Sequence, residues 1–341
     1  MKITNTLACL TLALVTTVAS GAEADAVYRS PDQVGPDSIV YWQGEYVGRL
    51  QNESEESVWA AQVVARRNDN YELVLYCGGL PGHGWEPEHG KQRLESQLRD
   101  EQLVFEQEEG PRYEVDDGTI RVLGEEGDVL GTLERIVRTS PTLGLEPPEE
   151  ATVLFDGSDV AQWRDGASMT DEGLLNQGAR TAEEYGDMFL HVEYLLPFWD
   201  SSRRTNSGLY IQNRYEVQIL DSFGHSRGTS EDGALYRFRS PDVNATLPPY
   251  HWQTFDLLFH APRFDEEGEK TENARISVYH NGILIHEDVE MESGTGRGGT
   301  RDEVPREHLY LQAHRGPAFF RNVWLVPDAD QWPQVVRERV E

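Results

Sequence analysis

Apolar residues in the second half of the chain recur at every other position. Leu190, Val192, Tyr194 and Leu196 alternate with His191, Glu193 and Leu195, and Tyr215, Val217 and Ile219 with Glu216 and Gln218. Phe255, Leu257 and Phe259 alternate with Asp256, Leu258 and His260, and Leu309 and Leu311 with Tyr310, Gln312 and His314. Successive side chains of a strand point to opposite sides, so a period of two is that of a strand with one buried face. Helical periodicity is scarce. Ile276 and Val278 lead into Asn281-Gly282, followed by Ile283 and Ile285. An Asn-Gly pair between alternating runs marks a hairpin, because both residues tolerate positive φ. Many short strands separated by turns predict an all-β sandwich or barrel.

Two folded units are expected. Residues 25–140 carry strand-like stretches at 57–65, 71–76, 102–106, 119–123 and 129–135, and predict a small β-rich accessory domain. Residues 141–150 hold Pro141, Pro147, Pro148 and Gly144, and read as an ordered extended connection. The second unit spans 151–328. Ahead of both, residues 1–22 combine Lys2, an apolar run over 7–18 and Ser20-Gly21-Ala22. That pattern is a secretion signal, too short to span a bilayer, and implies a periplasmic or extracellular protein. No later segment approaches 18 apolar residues, so no membrane insertion is expected. Removing the signal takes Cys9 with it. Cys77 then stands alone at a strand end, which allows no internal disulfide and suits a buried structural thiol.

Charge narrows the partners. The chain has 60 acidic and 30 basic residues, a net charge of −30. Nucleic acid and anionic lipid both demand a basic surface and are excluded as partners. Only Lys2, Lys91 and Lys270 are lysines. An acidic, lysine-poor surface suits a saline habitat or simply a secreted protein. The sequence has no phosphate loop, no dinucleotide fingerprint, no HExxH, no paired-cysteine zinc pattern and no GxSxG elbow. The Gly-rich stretch 294–299 lacks a flanking strand and helix and reads as a mobile loop. Residues 221–232, with Glu231, offer oxygen ligands without EF-hand spacing, which leaves a divalent cation open. No other cofactor is implied.

If the apolar set faces the core, the opposite set is a roster of candidate site residues: Glu193, Tyr210, Gln212, Glu216, Gln218, Gln312 and His314. Long amides, carboxylates, a phenol and an imidazole suit hydrogen bonding to sugar hydroxyls. An ordinary wet sheet face is the alternative.

The run Asn206-Ser207-Gly208-Leu209-Tyr210-Ile211-Gln212-Asn213-Arg214-Tyr215-Glu216-Val217-Gln218-Ile219-Leu220-Asp221-Ser222 resembles the signature of the 3-keto-disaccharide hydrolase domain family. Leu154-Phe155-Asp156-Gly157 with Trp163, Val243-Asn244-Ala245, Pro248-Pro249 and Trp252-Gln253-Thr254-Phe255-Asp256 match further motifs in order. So do Leu311-Gln312-Ala313-His314 and Phe320-Arg321-Asn322-Val323-Trp324. The resemblance covers about half the chain. It implies a concanavalin A-like jelly-roll β-sandwich and a carbohydrate substrate. It also implies cleavage of glycosides already oxidised to a ketone at C3, and hence a functional link to a sugar 3-oxidoreductase. Two positions depart from the family's closing motif: Ala313 and Arg315 stand where Asp and Gly are usual. The alternation points Ala313 to the core with Leu309 and Leu311, so an Asp there would be structural. The family's Cys-Gly pair is Asp232-Gly233 here.

A C3 ketone acidifies the C2 proton. Cleavage then needs a base near C2, donors for the enolate oxygen and an acid for the leaving oxygen. Glu216 is the expected base. Gln218, Arg214 or His314 would stabilise the enolate or act as the acid. Asp221 would converge from the end of the same strand. Asn206, Tyr210, Gln212 and Gln312 would bind hydroxyls, and Glu193 would be a second carboxylate. A non-catalytic, lectin-like glycan-binding module is one alternative. A two-carboxylate glucanase is another, but its acids typically alternate as Glu-x-Asp-x-Glu where this chain has Glu216-Val217-Gln218.

Overall fold

Eight antiparallel strands take up the chain from Gly44 to Ile136. They are β1 (Gly44–Gln51), β2 (Glu56–Ala65), β3 (Asn70–Cys77), β4 (Lys91–Gln97), β5 (Leu103–Phe105), β6 (Arg112–Asp116), β7 (Thr119–Leu123) and β8 (Val129–Ile136). The computed structural model describes residues 38–51, 56–164, 166–198, 204–296 and 302–340. The expected signal segment 1–22 and residues 297–299 of the Gly-rich stretch lie outside the described residues. The strand order is β4-β3-β2-β1-β8-β7-β6-β5, a meander whose first and last hydrogen-bonded strands pair through β1 and β8. Side chains bridge the remaining seam: Ser96 Oγ donates to the Val104 carbonyl and Gln92 Nε2 to Gln107 Oε1. A nearly closed barrel leaves little unpaired edge. Its interior is filled by residues such as Tyr46, Val63, Leu73, Phe105, Ile120 and Leu133. Cys77 is half-buried at the end of β3, not buried as expected.

The rest of the chain folds as a two-sheet antiparallel sandwich. Its strands are β9 (Thr152–Phe155), β10 (Trp163–Arg164), β11 (Leu175–Asn176), β12 (Arg180–Thr181), β13 (Met188–Leu195), β14 (Asn206–Ile211), β15 (Tyr215–Leu220), β16 (Trp252–His260), β17 (Ala274–His280), β18 (Ile283–Met291), β19 (Tyr310–Leu311) and β20 (Phe319–Pro327). The rear sheet runs β9-β20-β13-β16-β17-β18, with β11 also on β20; the front sheet runs β10-β12-β19-β14-β15. Between them lies one core, in which Leu190, Val192 and Tyr194 of the rear sheet meet Leu209, Val217 and Ile219 of the front. The Asn281-Gly282 hairpin forms as expected, with both residues at positive φ.

The outward face of the rear sheet is closed. Residues 140–145 lie across it as a strap. Ser140 Oγ is 2.6 Å from Thr254 Oγ1, Thr142 Oγ1 donates to Asp256 Oδ2 at 2.6 Å, and the Gly144 amide donates to Glu193 Oε1. Helix α1 (Gln334–Val340) inserts Val336 beside Phe189 and Trp324. Under the strap His191 sits 2.7 Å from Asp256. Burial opposes a charge on its ring, but Asp256 and Glu193 outweigh it and hold the imidazole up to about 9.

Tyr250 joins the two units. It belongs to the Pro248-Pro249-Tyr250-His251 loop of the sandwich, yet its ring is buried in the barrel core. Its φ is +67°, a conformation that costs a bulky residue roughly 1–3 kcal/mol. Phe223 makes a second contact, packing on Ala60 and Val64 outside the barrel wall. Tyr250→Ala is expected to destabilise the protein by about 3–4 kcal/mol in denaturant unfolding. Tyr250→Gly is expected to be about 1 kcal/mol less damaging than Ala, because it relieves the positive φ. The reverse order would show that strain there is unimportant.

Candidate active site

The front sheet's outward face carries the candidate site. β14 and β15 form a hairpin whose turn uses Gln212 and Asn213 at φ of +49° and +51°. The register sets Tyr210 opposite Glu216 and Gly208 opposite Gln218. With Leu209, Ile211, Tyr215 and Val217 in the core, Tyr210 and Glu216 share the outer face. Tyr210 Oη donates to Glu216 Oε2 at 2.7 Å. Gln312 Nε2, from the chain after β19, donates to the same Tyr210 hydroxyl at 3.3 Å. The Gln312 Oε1 atom is buried with no partner among the described residues.

Glu216 is only 3% exposed. Its other oxygen, Oε1, lies over Gly208, where an added Cβ would stand 2.6 Å away. Gly208 has an ordinary strand conformation, so it serves here by being small and not by being flexible. The remaining cover comes from two segments on the free side of β15. The Tyr236 amide donates to the Glu216 carbonyl at 3.0 Å, and the Glu216 amide donates to Thr295 Oγ1 at 2.6 Å. Gly296 follows at φ +43°, and a Cβ there would meet the Tyr236 ring at 2.7 Å. The part of the Gly-rich stretch that is described is therefore seated against Glu216, contrary to the expectation of a mobile loop.

Burial pushes the Glu216 carboxyl up to about 7, against the lowering effects of the Tyr210 hydrogen bond and the Arg237 charge. Burial and the neighbouring Glu216 carboxylate raise the Tyr210 phenol, so it stays a proton donor. Along the sheet, cross-strand pairing continues the row from Glu216 through Tyr210 and Tyr310 to Arg180. The Arg180 guanidinium lies 5.1 Å from the Tyr310 ring centre. Four strands at about 4.8 Å spacing make this row about 14 Å long.

Several expected residues lie elsewhere. Glu193 shares the parity of Glu216 but belongs to the rear sheet, so it faces away under the strap. There it accepts from Arg321 Nε at 2.7 Å and Asn322 Nδ2 at 2.9 Å. Burial favours its neutral form, but His191, Asn322 and Arg321 overcome that and bring it down to about 2. Gln212 is a turn residue; its Nε2 donates to the Tyr185 and Pro305 carbonyls and fastens loops together. Arg214, also in the turn, faces Glu303 at 3.8 Å and the Tyr215 ring. Gln218 does lie on the outer face, but the 228–234 segment buries it and its amide bonds locally to Ser230 and Ile219. Asp221 is five residues from Glu216, about 16 Å along the strand, and lines a cleft against the barrel with Arg66, Arg204 and His225. Asn206 pairs through its backbone with Arg315 at the far end of β14. His314 is exposed on the segment after β19. Ala313 is exposed too, not in the core. The strand ends at Leu311, the alternation stops there, and the Ala313 amide donates to Tyr310 Oη at 3.3 Å.

Residues 221–232 do not gather a cation site. Glu231 is taken by Arg204 and Ser222, and Asp232 is buried between Tyr194, Thr246 and the Leu220 amide. Among the described residues the cluster with metal-ligand spacing is Glu184, Glu307 and His308, and Arg164 contacts that histidine directly. A cavity of about 280 Å³ between barrel and sandwich contains Glu45, which Arg138 neutralises through two hydrogen bonds of 2.5 and 2.6 Å. Chemistry therefore points to Glu216 and not to that cavity.

The family model for the 3-keto-alpha-glucoside-1,2-lyase-like domain matches residues 150–326. The chain belongs to this family. The match takes in the whole front sheet and the rear sheet, and leaves out the barrel. No curated protein matches the chain by sequence. Among solved structures, a "putative glycosyl hydrolase" from Parabacteroides distasonis ATCC 8503 is 27% identical, with a TM-score of 0.48 over 52% of this chain and 84% of that one. A second protein of that description from the same organism is 16% identical, with a TM-score of 0.41 over 55% and 99% of the two chains.

Removing the phenol tests the electrostatics of the Tyr210–Glu216 pair. The Tyr210 hydrogen bond favours ionised Glu216, so its loss must raise the carboxyl. Carboxyl ¹³C NMR of Tyr210→Phe should show Glu216 titrating above the value of about 7 set by the intact site. A downward move would mean that the hydrogen bond does not govern it.

Proposed function

We propose that the protein cleaves 3-keto-glycosides, with Glu216 as the base that removes the C2 proton. The observation that carries this reading is the Glu216 carboxyl itself: one oxygen tied to a phenol, the other over a glycine, in a nearly dry site. A base is most useful when its pKa lies near the working pH, as burial arranges here. A ketone at C3 makes the C2 proton acidic enough for a carboxylate. The family supplies the carbohydrate substrate and the 3-keto chemistry. Arg237 is exposed beside the site, and its positive charge suits the enolate oxygen. Gln312 and Tyr310 are placed to meet hydroxyls.

Ordinary glycosidases need two carboxyls, one acid and one base or nucleophile. Glu193 and Asp221, the expected partners, do not face Glu216, which argues against the glucanase reading. A lectin has no use for a carboxyl held near neutrality in a dry site, since desolvating a charge weakens the fold. A secreted setting and an upstream oxidation at C3 complete the proposal. Methyl α-glucoside and its 3-keto form should be compared directly: only the keto form should release methanol, and Glu216→Gln should lose at least about 10³-fold in kcat/KM. Release from the plain glucoside would defeat the reading. Because the base must be ionised, kcat/KM should rise with pH through about 7.

The same carboxyl should cost stability. Its folded pKa is raised from 4.5 to about 7, so the folded state holds a proton that the unfolded chain has lost. Wild-type stability therefore falls as pH rises through that window. Glu216→Gln cannot titrate, and should be the more stable protein above pH 7 by up to about 3 kcal/mol. The gain should vanish near pH 4, as read by urea unfolding at both pH values.

A further inference from the structure

We propose that Tyr310 is the general acid of this site, giving its phenolic proton to the glycosidic oxygen O1 as the C1–O1 bond breaks. The inference rests on Glu216 being the base, and adds the second proton that cleavage needs.

The sugar sets the direction from which that proton must come. The family is named for an α-glucoside. In a glucose-configured chair H2 is axial, and an α-linked O1 is axial on the neighbouring carbon, about 180° from it. Base and acid therefore stand on opposite faces of the ring, and one group cannot serve as both.

Tyr310 stands where the acid is needed. Cross-strand pairing sets Glu216 and Tyr310 on either side of Tyr210, all three facing outward. Two strand spacings separate Glu216 from Tyr310, about 10 Å between Cα atoms, which is room for a sugar ring between the side chains. Glu216 leans into that gap, with Oε1 over Gly208 of the intervening strand. The two tyrosine rings are 5.9 Å apart, centre to centre. Their hydroxyls differ in what they can give. Tyr210 donates its proton to Glu216 Oε2 at 2.7 Å. Tyr310 Oη instead accepts from the Ala313 amide at 3.3 Å, and its own proton has no acceptor among the described residues. The Arg180 guanidinium lies 5.1 Å from the Tyr310 ring centre. A cation over the ring and an N–H on the oxygen both favour the negative charge that a departing proton leaves behind.

Other donors are less well placed. Tyr236 also carries an arginine over its ring, with Arg237 at 5.2 Å. It pairs with β15 on that strand's free side, however, so Glu216 stands between it and the sugar. Arg164, paired with Arg180 two strands beyond Tyr310, ends the outward row. It contacts His308, on which Glu184 and Glu307 gather at 3.3 and 3.8 Å.

The steps balance. Glu216 takes H2, and the C2–H electron pair becomes the C2=C3 bond of an enolate whose charge rests on the C3 oxygen. The enolate pair then forms C1=C2 as the C1–O1 bond breaks. O1 takes the Tyr310 proton and leaves as an alcohol, and the O–H pair stays on the phenol oxygen. In hydration, water gives a proton back to Tyr310 as its oxygen bonds to C1 of the enone, and C2 recovers a proton from Glu216. The net reaction adds one water, oxidises nothing and restores both side chains.

The test compares two leaving groups on the full chain: methyl 3-keto-α-glucoside, whose alkoxide leaves only with a proton, and its 2,4-dinitrophenyl counterpart, which leaves without one. Deuterium entry at C2 in D2O follows the base separately. Tyr310→Phe should lose at least about 100-fold in kcat/KM on the methyl substrate and less than about 3-fold on the dinitrophenyl one, with C2 exchange retained. Arg180→Met keeps the phenol and removes the cation, and should show the same selectivity at about 10-fold, which covers the case that Tyr310→Phe does not fold. Equal losses on both substrates would overturn the acid role. So would the methyl-selective loss appearing in Tyr236→Phe, Glu184→Gln, Glu307→Gln or His314→Gln instead. Wild-type protein that neither cleaves nor exchanges either substrate would overturn the Glu216 reading itself.

Discussion

Burying Leu209, Val217 and Leu311 against the rear sheet forces their neighbours outward, and that parity sets Tyr210 opposite Glu216. A buried aliphatic side chain contributes roughly 1.5–3 kcal/mol. Slipping β15 by one residue would expose Tyr215, Val217 and Ile219 together. A charge-assisted hydrogen bond is worth only about 1.5–3 kcal/mol, so the tyrosine–glutamate pair cannot hold the register. It is positioned by the core behind it. This division lets the front face carry an unfavourable carboxyl without endangering the fold.

The two buried glutamates show how partners, not burial, decide a carboxyl's role. Both are nearly inaccessible. Glu193 is surrounded by a guanidinium, an amide, an imidazole and a backbone N–H, and behaves as a permanent anion holding the strap. Glu216 has one neutral phenol and a more distant Arg237, and sits near neutrality. Asp232 is also raised to about 7, yet Tyr194, Thr246 and the Leu220 amide occupy its oxygens inside the core. A shifted pKa alone therefore does not mark a reactive group, since structural networks shift carboxyls as well.

Period-two alternation is enough to read β13, β15, β16, β17, β18 and β19 of the sandwich, the Asn-Gly hairpin and the outward placing of Tyr210, Glu216 and Gln312, whereas β9 to β12 span only two to four residues and are too short to show it. Parity says which side of its own sheet a residue takes, but not which sheet it belongs to, and Glu193 was misplaced for that reason. It also fails where a strand stops, as at Gln212 in the turn and at Ala313 beyond Leu311. The cover over Glu216 was not legible: Tyr236, Arg237 and Thr295 come from segments 20 and 79 residues away whose contacts no local pattern records. One local signal does point to it. Gly208 stands inside a strand with no turn to explain it, and such a glycine often marks a close approach. In the barrel, β4 and β6 are not legible because they are rich in charged residues, and Gly44 and Gly48 weaken the strand signal of β1.

Tyr250 gives the barrel a history tied to that of the sandwich. A loop that fills its neighbour's interior at a strained φ has no stable resting place of its own, and the barrel without it has a hole at its mouth. Neither half can be exchanged by recombination without matching the other. Sequence drift at the barrel mouth and in the 248–251 loop is therefore coupled, and a shuffled descendant would have to inherit the two as one unit.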